Sequence, residues 1–294
     1  MFASKARFVL AALVLAATPA WADPDWNAVG TALGKTGAVQ AGGVYRVPFP
    51  RSDLHVTLDG VAIKPALALG SWVAFLPMGN DAMVMGDLVL THDEVNPVMR
   101  ALEAAGLEIS ALHNHLLRSA PATMYMHIDG HGDPVKLATA IRSALQLSKT
   151  PFAAPPAATP APALDLDTAR IDAILRAKGT SGGGVLSYGI ARKDPPRSAG
   201  MALPNPMGSA IAINFQPTGG GKAAITGDFV MTANEVNPVI RAFAANGIEV
   251  TALHNHMLDD EPRLFFMHFW ANDDALKLAR GLRAALDKVA SAAP

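Results

Sequence analysis

An α+β fold built from two homologous domains is predicted by three observations. The run Gly86 to His115, GDLVLTHDEVNPVMRALEAAGLEISALHNH, returns as Gly227 to His256, GDFVMTANEVNPVIRAFAANGIEVTALHNH, with nearly two thirds of positions identical. A constant offset of 141 residues also carries His127 to His268, Arg51 to Arg192 and Asp53 to Asp194. Such self-similarity over about 120 residues marks a duplicated domain, because solenoid repeats are shorter. Between the copies, Pro151 to Ala163 (PFAAPPAATPAPA) has the composition of an extended linker. Within each copy, apolar residues alternate with a period of two in some segments and recur at helical spacing in others.

Taken in order, residues 1–22 read as a secretory signal peptide. Lys5 and Arg7 supply the positive start, Phe8 to Ala17 the apolar stretch and Ala20-Trp21-Ala22 the cleavage pattern. That stretch is shorter than the ~20 residues a membrane span needs. The expected location is outside the cytoplasm, with the periplasm favoured. The first domain then covers 23–150, the linker 151–163 and the second domain 164–294. The second half of each domain reads β-α-β-β-α, after a strand-rich first half, giving a largely antiparallel sheet with packed helices. In the second copy Ile248, Val250 and Ala252 alternate with Glu249 and Thr251 as a half-buried strand. Gly247 suits the end of the preceding helix. Leu264 to Trp270 is apolar on both faces, as a central strand should be. Asp273 or Asp274 caps a final helix with a stripe of Leu276, Leu278, Ala279, Leu282 and Leu286.

The chain has no cysteine, which excludes disulfides, thiolate ligands, a cysteine nucleophile and a lipidated terminus. A net charge of -1 without a long basic run gives no footprint for nucleic acid. His-Asn-His resembles a nuclease motif only in its letters, since that motif spreads over a far longer segment. Serine-nucleophile and phosphate-loop motifs are absent.

What remains is a constellation of histidines present twice. His254 and His256 continue the alternation of their strand, on the face of Ile248, Val250 and Ala252. His268 lies on the next strand and joins them unless it pairs with Asn255. The first copy offers His113, His115 and His127. Each domain is therefore expected to hold a three-nitrogen site for a divalent transition metal, zinc favoured, with a position left for water or a fourth ligand. Hydrogen-bonded core histidines and a metal-free acid/base site are the alternatives, the former disfavoured because each buried imidazole needs partners. Met124 and Met126 beside His127 raise copper(I) as a minor option. His55, His92 and His131 lack counterparts and read as surface residues, as do Arg100 and Arg241.

Glu94 and Glu235 admit two readings. Thr91 to Glu94 and Thr232 to Glu235 fit a capping box, which would make each glutamate structural. Asn96-Pro97 and Asn237-Pro238 offer a competing helix start that frees each glutamate to be a fourth ligand or general base. A proline six positions into a helix loses a hydrogen bond, which favours the second start. Arg51 with Asp53, and Arg192 with Asp194, read as structural ion pairs.

The repeated EVNPV…RA…G…ALHNH…MH signature, with FMHFW in the second copy, resembles the LppY/LpqO family of exported bacterial proteins. The likeness covers nearly the whole chain after the signal. It implies a shared fold and an envelope location but no reaction, the family being of unknown function. Unlike lipoprotein members, this chain has no cysteine to lipidate. The second copy lies closer to the family pattern: Arg263 and Trp270 stand where the first has Ala122 and Asp129. That makes the second site the expected competent one. The functional expectation is a metal-binding exported protein, in its catalytic version a hydrolase or lyase acting on a small molecule, with no membrane span. The rivals are a non-catalytic ligand- or metal-binding module and a structural envelope protein. Oligomeric state is not legible.

Overall fold

The computed structural model describes residues 24–153 and 163–293. The signal-peptide segment and most of the Pro/Ala linker lie outside them. The first repeat runs α1 (Trp26–Leu33), β1 (Ala38–Val39), β2 (Tyr45–Pro50), β3 (Gly70–Met78), β4 (Asp81–Thr91), α2 (His92–Ala104), β5 (Glu108–His113), β6 (Thr123–Gly132) and α3 (Pro134–Leu145). The second repeats this order as α4 (Thr168–Leu175), β7 (Thr180–Gly182), β8 (Val185–Ile190), β9 (Ile211–Gly219), β10 (Lys222–Thr232), α5 (Ala233–Ala245), β11 (Glu249–His254), β12 (Leu264–Asp274) and α6 (Ala275–Leu286). Each repeat forms one antiparallel six-stranded sheet, ordered β1-β2-β3-β4-β6-β5 and β11-β12-β10-β9-β8-β7. The two-domain α+β architecture thus follows the sequence pattern, with β-α-β-β-α in each second half.

One face of each sheet is covered by its own helices. In the first repeat Val29 and Leu33 of α1, Val98 and Leu102 of α2 and Ile141 of α3 pack on Phe75, Val84, Leu88 and Ile128. The opposite faces meet each other. Ala74, Leu76, Met83 and Met85 of the first sheet share a core with residues of the second repeat, and Val89 and Tyr125 share another with Ala224 and Trp270. Strands buried on both faces explain why β4 and β12 read as near-continuous apolar runs.

The joint between the sheets is pseudo-symmetric. Asn114 Nδ2 donates to Thr251 O at 3.1 Å and Asn255 Nδ2 donates to Ser110 O at 2.8 Å. Thr251 Oγ1 donates to His115 O and Ser110 Oγ to His256 O, both at 2.5 Å. Residue i meets j while i's counterpart meets j's, the signature of a two-fold interface within one chain.

Two local expectations change. Helix α2 begins at His92 and α5 at Ala233, each with a complete capping box, so Pro97 and Pro238 lie inside helices. The carbonyl deprived of a donor by Pro97 belongs to Asp93, which is exposed to water. The strand alternation also breaks. A bulge between Val250 and Ala252 sets Val250 opposite Phe269 and Ala252 opposite His268. Phe269 packs on Phe243 of α5, so Val250 faces the helices. Ala252 and His254 face the joint instead. One extra residue therefore redirects the histidines from the domain's own core to the space between the domains.

Candidate metal centre

The six histidines that the repeat predicts come together, but in one cluster rather than one site per domain. The cross-repeat contacts are the close ones. Ring centroids lie 3.4 Å apart for His113 and His254, 3.6 Å for His115 and His268, and 3.9 Å for His127 and His256. Within the first copy His113 is 5.1 Å from His115 and 5.0 Å from His127. The same-repeat trio His254, His256 and His268 is not among the sets whose ligand atoms lie within 4.8 Å of one another; those sets are His113/His115/His268, His113/His127/His254 and Asp228/His254/His256. Aromatic rings close the cluster, with Tyr125 stacked on His115 at 3.3 Å and Phe266 on His256 at 3.4 Å.

Backbone carbonyls orient the imidazoles. Nδ1 of His113, His254 and His268 lies 3.1, 3.0 and 2.7 Å from the carbonyls of Asn114, Asn255 and Gly227. His127 and His256 hydrogen-bond the backbone of Gly86 and Gly208. A carbonyl can only accept, so each Nδ1 so held carries the proton, leaving Nε2 with a free lone pair. Those Nε2 atoms find no partner. Among the described residues, the buried side-chain polar atoms without a hydrogen bond are Nε2 of all six histidines and Oδ1 of Asp87 and Asp228. Buried polar atoms rarely go unpaired, and eight in one place call for a ligand. Nδ1 on a carbonyl with Nε2 pointing inward is how metal-ligating histidines are fixed.

Asp87 and Asp228 are functional candidates the sequence reading missed. They sit opposite His127 and His268 in the sheets. Asp87 Oδ2 is 3.7 Å from His115 Nε2, and Asp228 Oδ2 is 3.0 Å from His256 Nε2 though outside hydrogen-bonding angles. Their signal was a carboxylate inside a mostly apolar stretch (VMGDLVL, ITGDFVM), repeated at the same offset.

Burial sets the protonation states. Desolvation lowers the pKa of His113, His115, His127, His254 and His256, and brings His268 down to about 3; neighbouring imidazoles add to this in all but His254. All six are therefore neutral, the form that ligates. Burial pushes the Asp87 and Asp228 carboxyls upward, Asp87 further because Asp228 is near. A bound cation reverses that logic and favours both carboxylates.

Other candidates fall elsewhere. Glu94 accepts from Arg51, from Thr91 N at 2.9 Å and from Lys149 N at 2.7 Å; Glu235 is held likewise by Arg192, Thr232 N and Ala290 N. Both glutamates are committed to helix caps and buried ion pairs, and neither belongs to a histidine set, which corrects the expected catalytic role. Arg51 and Arg192 pair with Asp53 and Asp194 as expected. Met124 and Met126 pack in the helix-side core of the first repeat, away from the joint, so neither thioether supports copper(I). Arg263 is half-exposed and bound to Asp260, and Trp270 Nε1 donates to Asp59 at 3.2 Å. His55, His92 and His131, with Arg100 and Arg241, are exposed as expected.

A cavity of about 900 Å³ opens beside the cluster, between the two sheets, and reaches Asp87, His115, Asp228, His256 and His268. No helix among the described residues is long and apolar enough to cross a membrane.

No curated protein matches this chain. Two solved structures align loosely: the trimeric bacterial microcompartment shell protein PduB, at 12% identity over 85% of this chain and 89% of that one, and EtuB from Clostridium kluyveri, at 9% over 85% and 88%. Their TM-scores of 0.21 and 0.20 are too low to carry a fold or a function across. Residues 27–147 and 169–288 each match the family described as Domain of Unknown Function (DUF1259), so this chain belongs to that family in two tandem copies.

Proposed function

We propose that this is a metal-binding protein whose centre lies between the repeats and takes two divalent transition ions. The observation that carries it is the set of eight unpaired buried donors, six imidazole nitrogens and two carboxylate oxygens. The pseudo-two-fold divides them into two sets of four. One is His113, His115, His268 and Asp87; the other is His254, His256, His127 and Asp228. Each set takes His-x-His from one repeat and the third histidine from the other. The set His113, His115 and His268, whose ligand atoms lie within 4.8 Å of one another while neither same-repeat trio meets that limit, favours this exchange over a site within each repeat. Neutral imidazoles with a carboxylate and no sulfur suit zinc first, and manganese, iron or nickel next.

The cavity beside the centre favours a catalytic version, a hydrolase or lyase acting on a small molecule in the periplasm. Bound divalent metal supplies a water of lowered pKa and polarises a carbonyl or phosphoryl oxygen. The chain's own part is to orient the imidazole and carboxylate ligands and to exclude bulk water with Tyr125 and Phe266. Elemental analysis of protein purified without chelator or affinity metal tests the metal reading. Two equivalents of one metal per chain are expected. No bound metal after titration with zinc, manganese, iron or nickel would return the histidines to a structural role.

A further inference from the structure

We propose that the joint cavity binds a small organic oxyanion, its charged group held by Arg46 and its apolar body lying between the sheets toward the metal centre. The identity of the floor rests on the metal reading above; the anion site itself does not.

Arg46 is a half-buried cation that, among the described residues, has no carboxylate within salt-bridge distance; Asp87 is near enough only to act on it through space. It extends from β2 into the cavity wall and lies over the Trp72 ring at 3.8 Å. Nη1 donates to Pro206 O of the second repeat, while Nε and Nη2 make no hydrogen bond among the described residues. Among the described residues no carboxylate forms an ion pair with it, in contrast to Arg51 and Arg192, which each have two. Burial pulls its pKa down to about 10, with Asp87 opposing, so it stays protonated at neutral pH. A desolvated guanidinium with free donors suits a carboxylate or phosphate, which it can grip through two parallel bonds.

The departure from symmetry points the same way. Trp72 pairs with Asp87 as Ala212 pairs with Asp228, so strand register makes Trp72 and Ala212 equivalent. The same register equates Pro48 with Gly189 and Arg46 with Ser187. The first repeat builds an Arg-Pro-Trp wall; the second has Gly189 and Ala212 where the first has Pro48 and Trp72, and both line the cavity. The eight donors keep the two-fold, whereas the wall breaks it. One asymmetric ligand in one orientation requires such a break. Pro48, Pro50, Leu67, Ala210 and Ala212 supply the apolar lining for its body.

Calorimetric titration of the full chain, chelated and zinc-loaded, tests this with 2-naphthoate, 2-naphthyl phosphate and the neutral 2-naphthamide. Saturable binding of at least one anion is expected, weakened tenfold or more by Arg46→Met and severalfold by Arg46→Lys, with little binding of the amide. Preference between the two anions identifies carboxylate or phosphate. Should Arg46→Met fold poorly, Ala212→Leu fills the cavity from the other wall and predicts the same loss with Arg46 intact. Equal affinity for the amide, or anion affinity unchanged in both variants, would overturn the proposal. Anion binding by protein that takes up no metal would keep this site and remove the metal reading. Zinc uptake without anion binding would do the reverse.

Discussion

Each repeat buries two polar constellations, and they differ in how they are satisfied. Around Arg51 and Glu94 nearly every donor and acceptor is matched: Arg51 reaches Asp53, Glu94 and Val89 O, and Glu94 also caps α2 and receives Lys149 N. Arg192 and Glu235 reproduce the arrangement in the second repeat. At the joint the same chain leaves eight polar atoms unpaired. Equally buried, equally repeated residues thus mark structure in one place and a ligand site in the other. The difference is whether their hydrogen-bonding capacity is used up inside the protein.

Breaking the staple that Glu94 forms between Arg51 and the start of α2 should give the largest effect. Glu94→Ala leaves Arg51, which is fully buried, short of one carboxylate and α2 without its box. Losing one partner of a buried pair costs about 3–5 kcal/mol. Denaturant unfolding should show that loss with metal content per folded chain unchanged; a change below about 1 kcal/mol would remove the staple's structural role. The sign with pH follows. Burial opposes ionisation of Glu94 and Glu235, but bonds from Arg51 or Arg192 and from backbone amides outweigh it and hold both below their ordinary 4.5. Depressed carboxyls contribute stability that is full above that value and lost as pH falls through the folded pKa. Glu94→Gln should therefore flatten part of the acid limb of a stability-pH profile.

The joint should respond to metal instead. Chelation is expected to lower the stability of the wild-type protein by about 2.7 kcal/mol relative to protein at a free metal concentration of 100 Kd for a single site. A His115→Ala/His256→Ala variant should show a much smaller difference. Equal chelator sensitivity in wild type and variant would place the metal elsewhere.

Much of this was legible in the sequence. The duplication, the α+β pattern and all six histidines follow from periodicity and the constant offset. Four features did not, each for a physical reason. The bulge at Thr251 adds one residue to a strand without changing its composition, so parity assigned His254 and His256 to the wrong side of the sheet. The proline penalty outweighed the capping box on paper. In the fold, the cap is joined to a buried arginine 43 residues away, which no local reading contains. Asp87 and Asp228 were hidden inside apolar strands, where a lone carboxylate is itself the signal. The exchange of the third histidine between repeats depends on how the sheets dock, a tertiary fact with no local trace.

That exchange is the central claim, and two double variants test it directly by metal stoichiometry. His115→Ala/His268→Ala removes two ligands from one proposed set, and His115→Ala/His127→Ala removes one from each. The account predicts about one equivalent of metal retained in the first variant and close to none in the second. The opposite pattern, near-complete loss in the first and one equivalent kept in the second, would mean that each repeat holds its own metal and that the shared centre is wrong.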